Sequence, residues 1–236
     1  MKKNDRSFDN FDEFAEDYRG RHNKAIALSG ADSDFFSEYK IIELLRFEVA
    51  AQPLRVLDFG CGDGNSAVYL RKHFPASTIL GVDVSAASIA LAQKRNISNA
   101  DFRAFDGFRI PFSDEEFDVV FTSMVFHHVE HRLHGGLLED IGRILKLHGR
   151  FYSFEHNPIN PLTRKVVREC EFDRDAVLLR PAYHRSIVSS SGLAVEQLDY
   201  TIFFPRHLFL KPFHACERML RWLPLGAQYF IRAVKQ

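Results

Sequence analysis

The residues best equipped for chemistry lie in the run VLDFGCGDG at 56–64 and at the ends of the apolar stretches that follow it. Gly60, Gly62 and Gly64 stand at alternate positions between an apolar run and a helical one. Without a Cβ the chain can turn sharply there and come close to a ligand. Ligands of open α/β sheets lie beyond the carboxyl ends of the strands, where this loop falls. The plain alternative is a tight strand–helix turn that binds nothing. A dinucleotide loop, Gly-x-Gly-x-x-Gly, aims a helix N-terminus at a pyrophosphate, but here the third glycine comes one residue early. Asp58 and Asp63 flank the loop with carboxylates, which suits a ligand with a positive centre and an amino group better than a pyrophosphate. Asp83 ends the next apolar run, the usual place for a carboxylate that accepts from two ribose hydroxyls. Asp106, after the third run, can accept from an exocyclic amine.

Three histidines follow later strand candidates: His127 and His128 after the fourth, His156 after the fifth. Imidazole is the side chain best matched to proton removal near neutrality. A hydroxyl acceptor needs such a base, whereas a carboxylate acceptor does not. Within the adjacent pair one ring is expected to face the core and the other, His128, the pocket; the alternative for each histidine is packing or hydrogen bonding. His131 and His134 continue the cluster without thiolates or close carboxylates at a defined spacing, so no metal is expected.

These groups need a scaffold that brings strand ends together. From residue 55, short apolar runs alternate with helical stretches: 55–60, 66–73, 78–84, 85–95, 101–106, 117–122, 132–147 and 149–156. Continuous apolar strands such as 117–121 predict a parallel sheet covered on both faces, a doubly wound α/β domain. Leu133, Leu137, Ile141 and Ile144 form the packing stripe of one covering helix, with Gly149 placed to end it. The runs 194–204 and 227–235 have no full crossover helix between them and are expected to pair antiparallel at the sheet edge. Residues 1–50 read as two helices. Phe8, Phe11, Ala15 and Tyr18 share one face; Phe35, Tyr39, Ile42, Leu45 and Val49 share another, with Ser33 as its cap.

The pieces VLDFGCGDG (56–64), GVDVS (81–85), AFDG (104–107), FDVVFTSMVFHHV (117–129) and LKLHGRFYSFEH (145–156) occur in an order and spacing that resembles the class I S-adenosylmethionine-dependent methyltransferases. The resemblance covers roughly residues 40–200. It implies a mostly parallel seven-stranded Rossmann-like sheet with an antiparallel edge strand, an N-terminal helical lid (1–50) and one methyltransferase domain (51–236). It also implies S-adenosyl-L-methionine as cofactor, leaving S-adenosyl-L-homocysteine. By that resemblance Asp58, Gly60 and Gly62 line the methionine moiety, and Asp83, with Val84 beside it, binds the ribose. Asp106, flanked by Phe105 and Gly107, lies at the adenine. Thr122 and Ser123 border the amino group and sulfonium, and Tyr18 and Arg19 belong to the lid. EHNPINPLTRKVV (155–167) resembles a bacterial subgroup acting on small molecules and glycans. Exocyclic-amine methylases of this fold carry Asn/Asp-Pro-Pro-aromatic after the fourth strand. Here Ser123-Met124-Val125-Phe126 stands instead, which disfavours a base amine and leaves oxygen as the expected acceptor atom. The competing readings are a non-catalytic module that keeps the fold and a nicotinamide-dependent oxidoreductase.

Composition narrows the field further. The chain has 236 residues, 46% of them apolar, with 31 basic and 31 acidic side chains. Zero formal charge and a pI near 7.2 speak against a dedicated nucleic-acid binder. No apolar run reaches the ~20 residues of a membrane span, and the first residues do not resemble a signal peptide. Three widely spaced cysteines fit a reducing cytoplasm. Between the last two strands, 203–222 mixes Arg206, Lys211, Arg218 and Arg221 with large apolar side chains and one acid, Glu217. One reading is a cap over the acceptor pocket that touches membrane or takes a lipid-linked substrate. The other is a cover for the sheet edge whose cations reach out to water.

Overall fold

The structure is a computed structural model that describes residues 30–170, 173, 176–206 and 211–236. The proposed helix around Tyr18 and Arg19 lies outside these residues. Seven strands form one sheet: β1 (Arg55–Phe59), β2 (Thr78–Asp83), β3 (Ala100–Ala104), β4 (Phe117–Ser123), β5 (Leu145–His156), β6 (Leu193–Thr201) and β7 (Gln228–Lys235). Their order is β3-β2-β1-β4-β5-β7-β6. The first five run parallel, while β7 pairs antiparallel with both β5 and β6.

Alternation along each strand explains why the runs read as continuously apolar. Leu57, Val120 and Phe151 enter the core on one face, with Leu137, Leu138 and Ile141 of helix α4 (His131–Ile144). Val56, Phe121 and Phe154 enter the core on the other, with Ile41, Leu70 and Ile89. These three come from α1 (Ser33–Leu44), α2 (Asn65–His73) and α3 (Ala86–Lys94). A strand between two such layers has no wet face, so polar alternation is absent. Helices α5 (Pro161–Glu169) and α6 (Pro181–Ser190) follow β5, and a short α7 (Lys211–His214) precedes β7. Among the described residues no helix is long and apolar enough to cross a membrane.

Three local expectations are corrected. Helix α1 is capped by Asp32, which accepts from Phe35 N–H at 2.8 Å, not by Ser33. Its buried face is Lys40, Ile41, Glu43 and Leu44, leaving Ile42 and Val49 exposed. Arg46, three residues on, and Arg221, far along the chain, neutralise Glu43, so a face that reads as polar turns inward. Gly149 does not end α4, since β5 begins directly at Leu145. It sits where β5 shifts register against β4, and a Cβ there would lie 2.8 Å from the Lys146 carbonyl.

Candidate active site at the carboxyl ends of the strands

The glycine loop hangs from β2: the N–H groups of Gly60 and Cys61 both donate to the Val82 carbonyl, at 2.8 and 3.0 Å. Gly60 has φ +74°, and a Cβ there would fall 2.3 Å from Val125 Cγ2. Gly64, the residue before α2, has φ +77° and packs so near Ala92 that a Cβ would be 3.0 Å from its methyl. At Gly62 nothing approaches within 4 Å, which leaves that stretch of backbone open to the cavity. Asp83 is aimed by two backbone donors: Gly62 N–H at 2.8 Å to Oδ2 and Ser85 N–H at 2.9 Å to Oδ1.

The two other acids of the loop differ. Asp63 pairs with Arg95 at 2.5 Å, so part of its charge is met within the fold. Asp58 is buried, its Oδ2 has no hydrogen-bond partner, and its carboxyl is pushed up to about 8. Burial is the main cause, then repulsion from Asp83 and Asp63, against the pull of Lys40. Lys40 of α1 is buried in the cavity wall, and burial brings its ammonium down to about 8 against the pull of Glu155 and Asp58.

After β4 the chain turns abruptly. Met124 takes φ +60°, and a single 3-10 turn, Phe126–His128, follows. His134 of α4 pins this turn through Nε2, which lies 3.0 Å from the Phe126 carbonyl and 2.9 Å from that of Val129. The adjacent strand supplies Glu155, buried at 1% exposure. Glu155 accepts from Phe126 N–H at 2.9 Å, and its other oxygen lies 2.6 Å from His127 Nδ1. Burial raises this carboxyl, but the His127 charge outweighs it and holds the group near 2. An ionised carboxylate only accepts, so Nδ1 carries the proton. For His127, burial opposes protonation, yet Glu155 and Asp173 raise the ring to about 9. His128 Nε2 lies 3.3 Å from Asp173 Oδ1, and burial followed by the His127 charge lowers its pKa. His156, 5.3 Å from His127 between ring centres, is brought down to about 3, chiefly by burial.

One cavity of about 500 Å³ joins these groups. Of the sequence-predicted residues, Gly60, Gly62, Asp83, Val84, Phe105 and Gly107 line its loop side. Ser123, His127, His128 and His156 line the other. Both members of the histidine pair face it, not His128 alone. Thr122 is fully buried within β4 and does not reach the cavity wall; nor does Asp58, which lies behind the loop. Asp106 also stands apart. It is exposed, its Oδ1 accepts from Phe108 and Arg109 N–H at 2.9 and 3.2 Å, and these bonds lower its pKa. Turning β3 into the following loop uses the carboxylate locally.

The segment after β6 covers the cavity with Phe203, Phe204 and Pro205. Its cations meet more acid than Glu217 alone. Arg206 pairs with Glu217 at 2.9 Å, while Arg221 reaches Glu43 at 2.6 Å and Asp199 at 3.3 Å. Arg218 is exposed, as are Met219 and Trp222 at 76% and 75%.

Three residues of the site escaped the sequence reading: Lys40, Glu155 and Asp173. Glu155 did leave a signal, an acid directly after the run 151–154 and still within the strand. Asp173 comes 45 residues after His128, and no local pattern marks it.

Residues 56–149 match the family model of a methyltransferase domain. Over 148 residues the chain is 30% identical to phthiotriol/phenolphthiotriol dimycocerosates methyltransferase 1 of Mycobacterium ulcerans, covering 62% of this chain and 52% of that protein. It is 29% identical over 192 residues to trans-aconitate 2-methyltransferase of the same organism, covering 75% and 69%. The chain spans about half the length of several curated relatives that it matches. A solved S-adenosylmethionine-dependent methyltransferase from Thermotoga maritima shares the fold, with a TM-score of 0.68 over 96% of this chain and 98% of that one at 20% identity.

Proposed function

The chain belongs to the class I S-adenosylmethionine-dependent methyltransferases, and on that premise we propose that it transfers a methyl group to an oxygen of a small-molecule or glycan acceptor. The observation that carries this reading is the single cavity joining the Gly62–Asp83 loop to the His127–His128–Asp173 cluster. When bound, S-adenosylmethionine supplies a methyl group already activated on a sulfonium and leaves S-adenosylhomocysteine. The residues present fit it. Asp83, oriented by two backbone donors, is the ribose acceptor. The bare backbone at Gly62 admits close approach.

Positioning is the protein's main task, because a held and oriented acceptor removes several kcal/mol of barrier. His128 is the group for proton removal: its ring borders the cavity, is neutral near pH 7, and is steered by Asp173. The Ser123–Phe126 turn lacks the amine-methylase motif, which supports oxygen over a base amine. The apolar cover at 203–205, with Met219 and Trp222 exposed nearby in the chain, suits a lipid-linked acceptor or a peripheral membrane contact.

The test is S-adenosylhomocysteine formation across an acceptor library of alcohols, phenols, glycans, carboxylates and amines. His128→Ala should lower turnover by roughly 10²–10⁴-fold with cofactor affinity unchanged. Turnover on amines only would overturn the oxygen assignment. Cofactor binding without turnover on any class would favour a non-catalytic module.

A further inference from the structure

The structure assigns a divalent-cation site to His127, His128 and Asp173, on the cavity wall beside the glycine loop. Asp173 Oδ1 lies 3.6 Å from His127 Nε2 and 3.3 Å from His128 Nε2. Donor atoms about 2.0–2.2 Å from a tetrahedral zinc ion lie about 3.3–3.6 Å from one another. All three ligand atoms fall within 4.8 Å of one another, a nitrogen–nitrogen–oxygen set that needs little movement to close on an ion.

A second observation points the same way. His127 Nε2 is buried without a hydrogen-bond partner, in a side chain only 1% exposed. Its orientation is fixed from behind, because Nδ1–H donates to Glu155 and Glu155 is itself held by Phe126 N–H. Carboxylate, histidine and metal in series is the usual way a protein presents an imidazole nitrogen to zinc. A bound cation takes the place of the proton between His127 Nε2 and Asp173. Three protein ligands with a fourth position opening on a cavity is the arrangement of a catalytic zinc rather than a structural one. The sequence hid it: the expectation of no metal rested on the lack of a nearby carboxylate, and the fold imports Asp173 from the loop after α5.

The consequence for chemistry rests on the methyl-transfer reading; the cation site itself does not. A hydroxyl oxygen at the open position loses its proton to bulk water through the cavity mouth and keeps both electrons, so the cation takes over from His128 the task of ionising the acceptor.

The experiment uses the full chain, stripped with chelator and titrated with zinc chloride against a chromophoric competitor, with cobalt(II) substitution read by visible absorption. One tight equivalent per chain and a tetrahedral cobalt spectrum are expected. Asp173→Asn and His128→Gln should each weaken binding by more than about 100-fold, and Glu155→Gln by about 10–100-fold. His148→Gln, at an exposed position, should change nothing. Circular dichroism and S-adenosylhomocysteine affinity establish that the variants fold. Absence of a tight equivalent, or binding unaltered in both Asp173→Asn and His128→Gln, would overturn the site. Loss of cofactor binding in wild type would overturn methyl transfer while leaving the zinc titration readable.

Discussion

Replacing Arg221 with methionine is expected to destabilise the protein far more than the same change at Arg218, three residues away. Arg221 donates to Glu43 at 2.6 and 2.8 Å and to Asp199 at 3.3 Å. The three side chains are 15%, 6% and 5% exposed, so the cluster is largely withdrawn from water. Truncating one partner of a buried ion pair costs about 3–5 kcal/mol, because a charge is left stranded. Arg46 stays within 2.9 Å of both acids and reduces that loss, which brings the expected value to about 2–3 kcal/mol. Arg218 is exposed, and its loss should stay within about 0.5 kcal/mol. Urea unfolding, followed by tryptophan fluorescence and circular dichroism together, measures both. A sign test accompanies it. Burial already raises the carboxyls of Glu43 and Asp199, and removing Arg221 raises them further. A folded-state acid with a raised pKa loses stability as pH climbs, so the penalty in Arg221→Met should be larger at pH 8 than at pH 5. A loss below about 0.5 kcal/mol, or a penalty that grows on acidification, would refute the assignment of Arg221 to the fold.

Gly60→Ala should abolish S-adenosylhomocysteine binding by calorimetry while leaving far-ultraviolet dichroism near wild type, since a methyl at 2.3 Å from Val125 forces the loop out of place. Asp83→Asn should weaken both cofactor forms by about 1.5–3 kcal/mol, the worth of charged hydrogen bonds; unchanged affinity would remove Asp83 from the ribose. Asp58→Asn should stabilise the cofactor-free protein. The folded carboxyl keeps its proton up to about pH 8 whereas the unfolded one ionises near 3.8, so the gain should grow across that window to roughly 4 kcal/mol at pH 7 and level off above 8. Thermal melts from pH 5 to 9 that show no widening gap would contradict a buried acid at this position.

The parts of the fold carried by local pattern were legible. Strands β1, β2, β4 and β5 announce themselves as apolar runs, and the glycines and Asp83 mark where the first two end. What stayed hidden depends on partners distant in the chain. The buried face of α1 could not be read because Glu43 and Lys40 count as polar until Arg221 and the cavity are known to face them. Asp106 sits at a strand end like Asp83, yet it serves its own loop. The difference lies in which backbone N–H groups the turn presents, not in the residue. Gly149 looked like a helix terminator because the strand starts without any intervening turn. The metal-ligand set was invisible for a simpler reason: His128 and Asp173 are separated by α4, β5 and α5.

The placement of β7 has a consequence for how the chain is made. β7 is the last of the seven strands to leave the ribosome, yet it lies between β5 and β6. Until it emerges, the twelve-residue β5 has an unpaired edge and Phe154 lacks the ring of Phe230, stacked against it at 4.9 Å in the finished molecule. A nascent chain stalled anywhere between β6 and β7 therefore exposes a long, apolar strand edge, the kind of template that recruits other chains. Vectorial synthesis and sheet order run against each other here, and rapid translation of 202–228 is the step on which soluble yield should turn.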